Sequence, residues 1–270
     1  MKPLEAGVIF GPSAEPRLVG AAGEVLQSIG STMDVARARC EEDADDGYVV
    51  LAEEQTAGRG REGRWHCPAG RGLLMSAVLR RGLPSGEQRL IGIMGAVAGA
   101  EAVRQFGVAG RIKWPNDVVV VARQSGPLRV RKLGGVLVEP VPRGDAAPAH
   151  ILGVGLNVNQ SAEELPAGVT PEATSMRKER GQEFDRNAVC RALLEELSTW
   201  YRRLAMGQKE HILARWRTLS CLLGRGVRVQ VGDEIIAGEV KGIRSSGELI
   251  VVDAAGQQVL LSDQRARLLL

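Results

Sequence analysis

Gly58-Arg59-Gly60-Arg61-Glu62-Gly63-Arg64-Trp65 admits two very different folds. Gly58, Gly60 and Gly63 match the spacing of a dinucleotide-binding glycine loop. Such a loop opens directly into a helix whose N-terminus holds a pyrophosphate. Here Pro68, Gly70 and Gly72 follow, so no helix can start, and the preceding apolar run is expected to end at Glu53-Glu54. The doubly wound reading therefore fails. The remaining one is a loop whose glycines let backbone approach a ligand while Arg59, Arg61 and Arg64 supply positive charge. Guanidinium groups donate in bidentate pairs, which suits carboxylate and phosphate oxygens.

Three more segments share this character. In Lys113-Trp114-Pro115-Asn116-Asp117, the proline fixes a turn and a lysine and an aspartate flank it. Such a turn could serve a nucleotide, or could be a hairpin with a surface ion pair. In Lys132-Leu133-Gly134-Gly135-Val136-Leu137-Val138-Glu139, a lysine precedes two glycines and an apolar run. Gly153-Val154-Gly155-Leu156-Asn157-Val158-Asn159 again puts glycines inside a strand pattern, a sign of something packed against the backbone. There is no GxxxxGK[ST] loop and no GxSxG elbow, and no His/Cys pair has the support of a motif. These residues suit chemistry driven by positioning and charge neutralisation.

Outward from these segments the pattern predicts an α+β chain. Ser31-Thr32-Met33-Asp34 reads as a capping box opening a helix to about Cys40. Helices are expected over Glu87–Phe106, Asp185–Leu204 and Lys209–Leu219, and strands over Tyr48–Ala52, Gly72–Arg80, Ile112–Trp114, Val118–Ala122, Leu133–Val141 and Ile151–Val158. Residues 1–30 carry no clear pattern. After Gly224, short runs at 227–231, 235–243, 249–253 and 258–261, separated by glycine turns, predict a small all-β unit. The expected division is 1–222 and 223–270.

The chain has 270 residues, a net charge of +3, 44% hydrophobic and 25% charged residues. That balance fits a soluble globular protein with an anionic substrate and gives no argument for a nucleic-acid partner. Cys40, Cys67, Cys190 and Cys221 form no CxxC and no zinc spacing with His66, His150 or His211. Reduced thiols, no metal site by side-chain motif and a cytoplasmic location follow as expectations. Neither a secretory signal nor a stretch of the ~20 apolar residues a membrane span needs is expected.

The four segments, in this order, resemble the biotin protein ligase family, whose motifs read GRGRxGR, KWPND, K(L/I)xGIL(V/I)E and GxGxNxN. Ser31-Thr32 matches that family's early serine–threonine element, and Gln55 its glutamine before the arginine loop. The resemblance covers Ile29 to Asn159; the small C-terminal unit resembles the family's SH3-like β-barrel by architecture alone. It implies a mixed-sheet catalytic domain of the biotin/lipoate ligase type. It also implies an enzyme that forms biotinyl-5′-adenylate from biotin and ATP, with Mg²⁺ accompanying the nucleotide. Biotin then passes to one lysine of a biotin carboxyl carrier protein of an acyl-CoA carboxylase.

By the same resemblance, Ser31, Thr32 and Gln55 bind the ureido end of biotin, with Met33 and Gly134 on that side. Arg59, Gly60 and Arg61 form the closing loop, and Lys132 meets the carboxylate or the acyl-phosphate oxygen. Arg61, Arg64, Trp65, Asn116, Asp117 and Asn157 surround the nucleotide and Lys113 faces its phosphates. Arg59, Arg61, Lys113, Asp117 and Lys132 carry the catalytic charge, Asp117 doubling as a candidate base.

The chain departs from the family in places. Its Gly63-Arg64-Trp65-His66-Cys67-Pro68 is one residue short of GRxWxSP, and Leu261-Ser262-Asp263-Gln264 lacks the usual Gly-Glu. No helix-turn-helix fits before Ser31, so an enzyme-only class without DNA binding is expected, as monomer or homodimer. A lipoate or octanoyl transferase is the rival enzyme, and a biotin-sensing repressor the rival binding protein.

Overall fold

The computed structural model describes residues 2–61, 63–81, 88–122, 128–169, 171–262 and 266–269. The elements run α1 (Ala6–Ile9), β1 (Gly23–Ile29), α2 (Thr32–Glu41), β2 (Val49–Gln55), β3 (Arg59–Gly60), β4 (Gly63–Arg64) and β5 (Gly72–Leu79). Next come α3 (Arg89–Gln105), β6 (Gly110–Lys113), β7 (Asp117–Val121), β8 (Val130–Arg143), β9 (Ala146–Asn157), α4 (Met176–Arg180), α5 (Arg186–Ala205) and α6 (Lys209–Leu219). The C-terminal strands are β10 (Gly226–Val231), β11 (Glu234–Ile243), β12 (Leu249–Val252), β13 (Gln258–Leu261) and β14 (Ala266–Leu269). Glu87, Asp263 and Gln264, which figure in the expectations above, lie outside the described residues.

Seven strands form the main sheet in the order β1-β2-β5-β9-β8-β7-β6. Only β1–β2 is parallel, joined through α2; every other pair is antiparallel. The sheet is therefore mixed, as expected from strands separated mainly by turns.

The apolar run 90–103 forms α3, which lies against this sheet. A Cβ on Gly95 would come within 2.9 Å of Val136 Cγ1, and one on Gly99 within 3.0 Å of Val118 Cγ2. The two glycines thus let the helix backbone approach the strands more closely than any side chain would permit.

Two expectations need correction. The strand before the arginine loop runs on to Gln55, so the loop follows within three residues; what excludes the dinucleotide fold is that β3 and β4 form a small hairpin there instead of a helix. The capping box is half formed. Ser31 Oγ accepts from the Met33 N–H at 3.2 Å, but Asp34 turns outward to Arg59.

Residues 1–30 also contain β1, which their pattern does not reveal. It is a half-exposed edge strand, and Glu24 on it pairs with Arg39.

β10–β14 make a second, antiparallel sheet in the order β13-β12-β11-β10-β14. Among the described residues its end strands β13 and β14 do not pair, so the barrel is open. It shares one hydrophobic core with the main sheet. Val227, Val240 and Leu249 belong to the same buried cluster as Ile93 and Trp114, and the Trp114 indole N–H donates to the Gly247 carbonyl at 3.1 Å. No described helix is long and apolar enough to cross a membrane.

Candidate active site

Strand register builds the site. Across the main sheet, Lys113 pairs with Asp117, Asp117 with Gly135, Gly135 with Gly155, and Gly155 with Leu74. Residues opposite one another on antiparallel strands share a face. This row therefore floors one cleft of about 440 Å³, which all five residues line. One step along, Leu137, Gly153 and Ser76 form a second row.

The glycines in the rows leave room above them. The Trp65 ring rests on Gly155, where a Cβ would meet Trp65 Cε2 at 2.6 Å, and Met33 rests on Gly153, where a Cβ would meet its sulfur at 2.5 Å.

At one end of the cleft, Thr32 donates twice to Gln55 Oε1, from its backbone N–H at 2.6 Å and its hydroxyl at 2.9 Å. Thr32 Oγ1 also lies 2.8 Å from Ser76 Oγ. Ser31, buried, lines the same end. Toward the other end, Asp117 holds two ammonium groups. Lys132 Nζ is 2.6 Å from one carboxylate oxygen and Lys113 Nζ 3.7 Å from the other. Lys113 and Asp117 are both buried, so of the two readings open for this turn the surface ion pair is excluded. Burial pulls the Lys113 ammonium below the usual lysine range; Asp117 opposes this, and Lys132 and Arg61 add to it. Lys132 Nζ also sits 5.8 Å from the centre of the Trp65 ring, within cation–π range.

Asn157 Nδ2 donates to the Thr174 carbonyl at 2.9 Å, and Asn157 Oδ1 accepts from Gln160 at 2.8 Å. The Asn116 side-chain amide donates to the Val136 carbonyl. Arg64 donates to the Thr56 carbonyl at 2.7 Å. Arg59 turns to acidic side chains: it makes a bidentate pair with Asp34 at 2.8 and 2.9 Å and lies 3.5 Å from Glu139.

Of the residues singled out from sequence, all but one line this cleft. Gly134 faces away, and a Cβ there would meet the Gly155 carbonyl oxygen at 2.6 Å, whereas Gly135 faces in. Gly135 and Gly153 belong to segments whose glycines mark close backbone approach, but strand register is needed to show that they face the cleft; sequence reasoning missed Ser76. It also missed Leu268 of β14, which brings the second sheet to the cleft wall.

Among the described residues no group of His, Cys, Asp and Glu could cage a metal. The four thiols are free and buried. Burial pushes all four up, Cys67 and Cys190 to about 12 and Cys221 to about 11, so none is a ready nucleophile.

The profile of the Biotin/lipoate A/B protein ligase family matches residues 25–157, and that of the Biotin protein ligase C terminal domain matches residues 222–262. A biotin–[acetyl-CoA-carboxylase] ligase of Mycobacterium tuberculosis is 33% identical, over 93% of this chain and 92% of its own. The chain belongs to the biotin protein ligases. The bifunctional ligase/repressor BirA of Escherichia coli is also 33% identical, over 87% of this ligase and 70% of its own length. Among solved structures, the biotin protein ligase from Aquifex aeolicus in complex with biotin and ATP superposes with a TM-score of 0.75 at 24% identity. The match covers 92% of this chain and 98% of the other and shows a common fold.

Proposed function

We propose that this protein couples ATP cleavage to the biotinylation of a carrier-protein lysine. The observation that carries the proposal is the cleft's polarity. One end is a neutral network of Thr32, Gln55 and Ser76 with Ser31 beside it; the other sets Lys113 and Lys132 on the one acid among the described lining residues, Asp117, and Arg61 and Arg64 also line the cleft. A molecule with an uncharged cyclic urea at one end and a carboxylate at the other matches that layout.

In the first step a biotin carboxylate oxygen attacks the α-phosphorus of ATP, the bond to the β-phosphate oxygen breaks, and pyrophosphate leaves. Negative charge on the phosphoryl oxygens is met by the buried Lys113, by Lys132 beside it on Asp117, and by the more exposed loop arginines. Asp117 has both oxygens engaged by ammonium groups. We therefore assign it positioning of the two lysines rather than proton abstraction. Mg²⁺ would enter with the nucleotide and would supply charge neutralisation of its phosphates; among the described residues lining the cleft the acid is Asp117, which Lys113 and Lys132 already neutralise. In the second step the carrier lysine attacks the acyl carbon and AMP departs. The partner expected is the biotin carboxyl carrier domain of an acyl-CoA carboxylase.

Biotin-dependent exchange of labelled pyrophosphate into ATP tests the first step. Truncating Lys132 to Ala removes the carboxylate's partner. Exchange should fall by about two to three decades, the equivalent of roughly 2–5 kcal/mol for an unpaired buried charge. An unchanged rate contradicts the assignment.

A further inference from the structure

The hydrogen bonds at the neutral end of the cleft permit only one arrangement of protons. A backbone N–H can only donate, so the Gln55 atom 2.6 Å from Thr32 N is the carbonyl oxygen Oε1. That oxygen can only accept, so the Thr32 hydroxyl 2.9 Å away spends its single proton on it. The Thr32 oxygen is left as an acceptor, and the Ser76 hydroxyl 2.8 Å away must donate to it. The order is therefore Ser76 to Thr32 to Gln55.

Its consequence lies at the far side of Gln55. With Oε1 occupied twice, the amide cannot turn over; Gln55 lines the cleft, and Nε2, on the side toward Gly58, is the donor left to it. Ser31 Oγ accepts from the Met33 N–H, so its proton is also available to the cleft. Two donors then converge on one end, and a ligand must present an acceptor there.

Ser76 is fully buried on β5, beside Gly153 in the second register row. We infer that Ser76 is a positioning residue for the ligand's ring carbonyl, acting through Thr32 to hold Gln55 as a donor. It belongs to no motif of the sequence. Polarised chains of hydroxyls strengthen one another, and without Ser76 the Thr32 oxygen keeps an unfilled site in a closed pocket.

This rests on biotin being the substrate. The test compares biotin with 2′-thiobiotin, in which sulfur, a weak acceptor, replaces the ring carbonyl oxygen. Both are measured by ATP–pyrophosphate exchange with the unaltered protein, Ser76→Ala and Ser76→Thr, after thermal melts show that each variant folds. Ser76→Ala should raise the KM for biotin about fivefold, the loss of one hydrogen bond. It should leave kcat at saturation and the KM for 2′-thiobiotin within twofold, so that discrimination between the two narrows, and Ser76→Thr should restore it. Equal factors for both compounds, or no change, overturn the role of Ser76 and leave the ligase reading standing. No biotin-dependent exchange by the unaltered protein overturns both.

Discussion

Asp117 and Lys132 lie on adjacent antiparallel strands, Lys132 opposite Val119 two residues along and beyond a bulge, and touch at 2.6 Å. Lys113 reaches the other oxygen of the same carboxylate at 3.7 Å. One acid thus sets the positions of two cations in a cleft floored by glycine.

Asp117→Asn should damage both stability and turnover. It strands two ammonium groups, one of them buried, without a counter-charge. Breaking such a pair costs about 3 kcal/mol, readable as a lower midpoint in urea unfolding. The exchange rate should fall at least tenfold at saturating biotin and ATP. A variant with the original midpoint and rate would show that the lysines are held by something else.

The depressed Lys113 predicts a pH signature. Its folded-state pKa lies below the usual lysine value of 10.5. As pH rises through that lowered pKa, the proton leaves and the attraction for phosphate goes with it, so the KM for ATP should climb on the alkaline side earlier than for an ordinary lysine. Stability moves the other way: over the window from the lowered pKa to 10.5 the unfolded chain holds more protons, and folding becomes more favourable with pH. Lys113→Arg, which stays charged throughout, should shift the rise in KM to higher pH. The check is a pH series of ATP KM values for both proteins.

The glycine rows make a paired prediction. Gly155→Ala drives a methyl into the stiff Trp65 ring, whereas Gly153→Ala meets the flexible end of Met33. Overpacking costs about 1–3 kcal/mol. The first variant should raise the ATP KM about tenfold or more, and the second should raise the biotin KM by less. Steady-state kinetics with each substrate varied separately read the difference, and the reverse pattern would contradict the proposed order of the two ends.

Arg59 ties the loop to Asp34, and both side chains are substantially exposed. Exposed pairs contribute about 1 kcal/mol or less, so Asp34→Asn should leave the melting temperature nearly unchanged. If the pair helps hold the loop over the cleft, the adenylate should escape about fivefold faster in the absence of carrier, measured as free biotinyl-adenylate by chromatography.

Much of this site is legible in the sequence because its chemistry is concentrated in four short segments whose residue types are unusual for their places. A lysine before paired glycines, or arginines alternating with glycines, stands out without any structure. Register is not legible in the same way. Nothing local says that Gly135 faces the cleft and Gly134 the other side, because a one-residue shift in a strand exchanges its faces and β7–β8 carries a bulge. Ser76 was hidden for a related reason: a serine in an apolar run matters only through Thr32, 44 residues away. β1 escaped notice because an edge strand buries too little to need a clear alternation. Leu268 escaped because its place in the cleft depends on how the second sheet seats against the first.

The most direct test of the whole account is the intact mass of a biotin carboxyl carrier domain after incubation with this protein, biotin and Mg-ATP. The account predicts a gain of one biotin that requires ATP and one carrier lysine and nearly vanishes with Lys132→Ala. No gain with any of several carriers, or a lipoyl product when lipoate is offered instead, would contradict it.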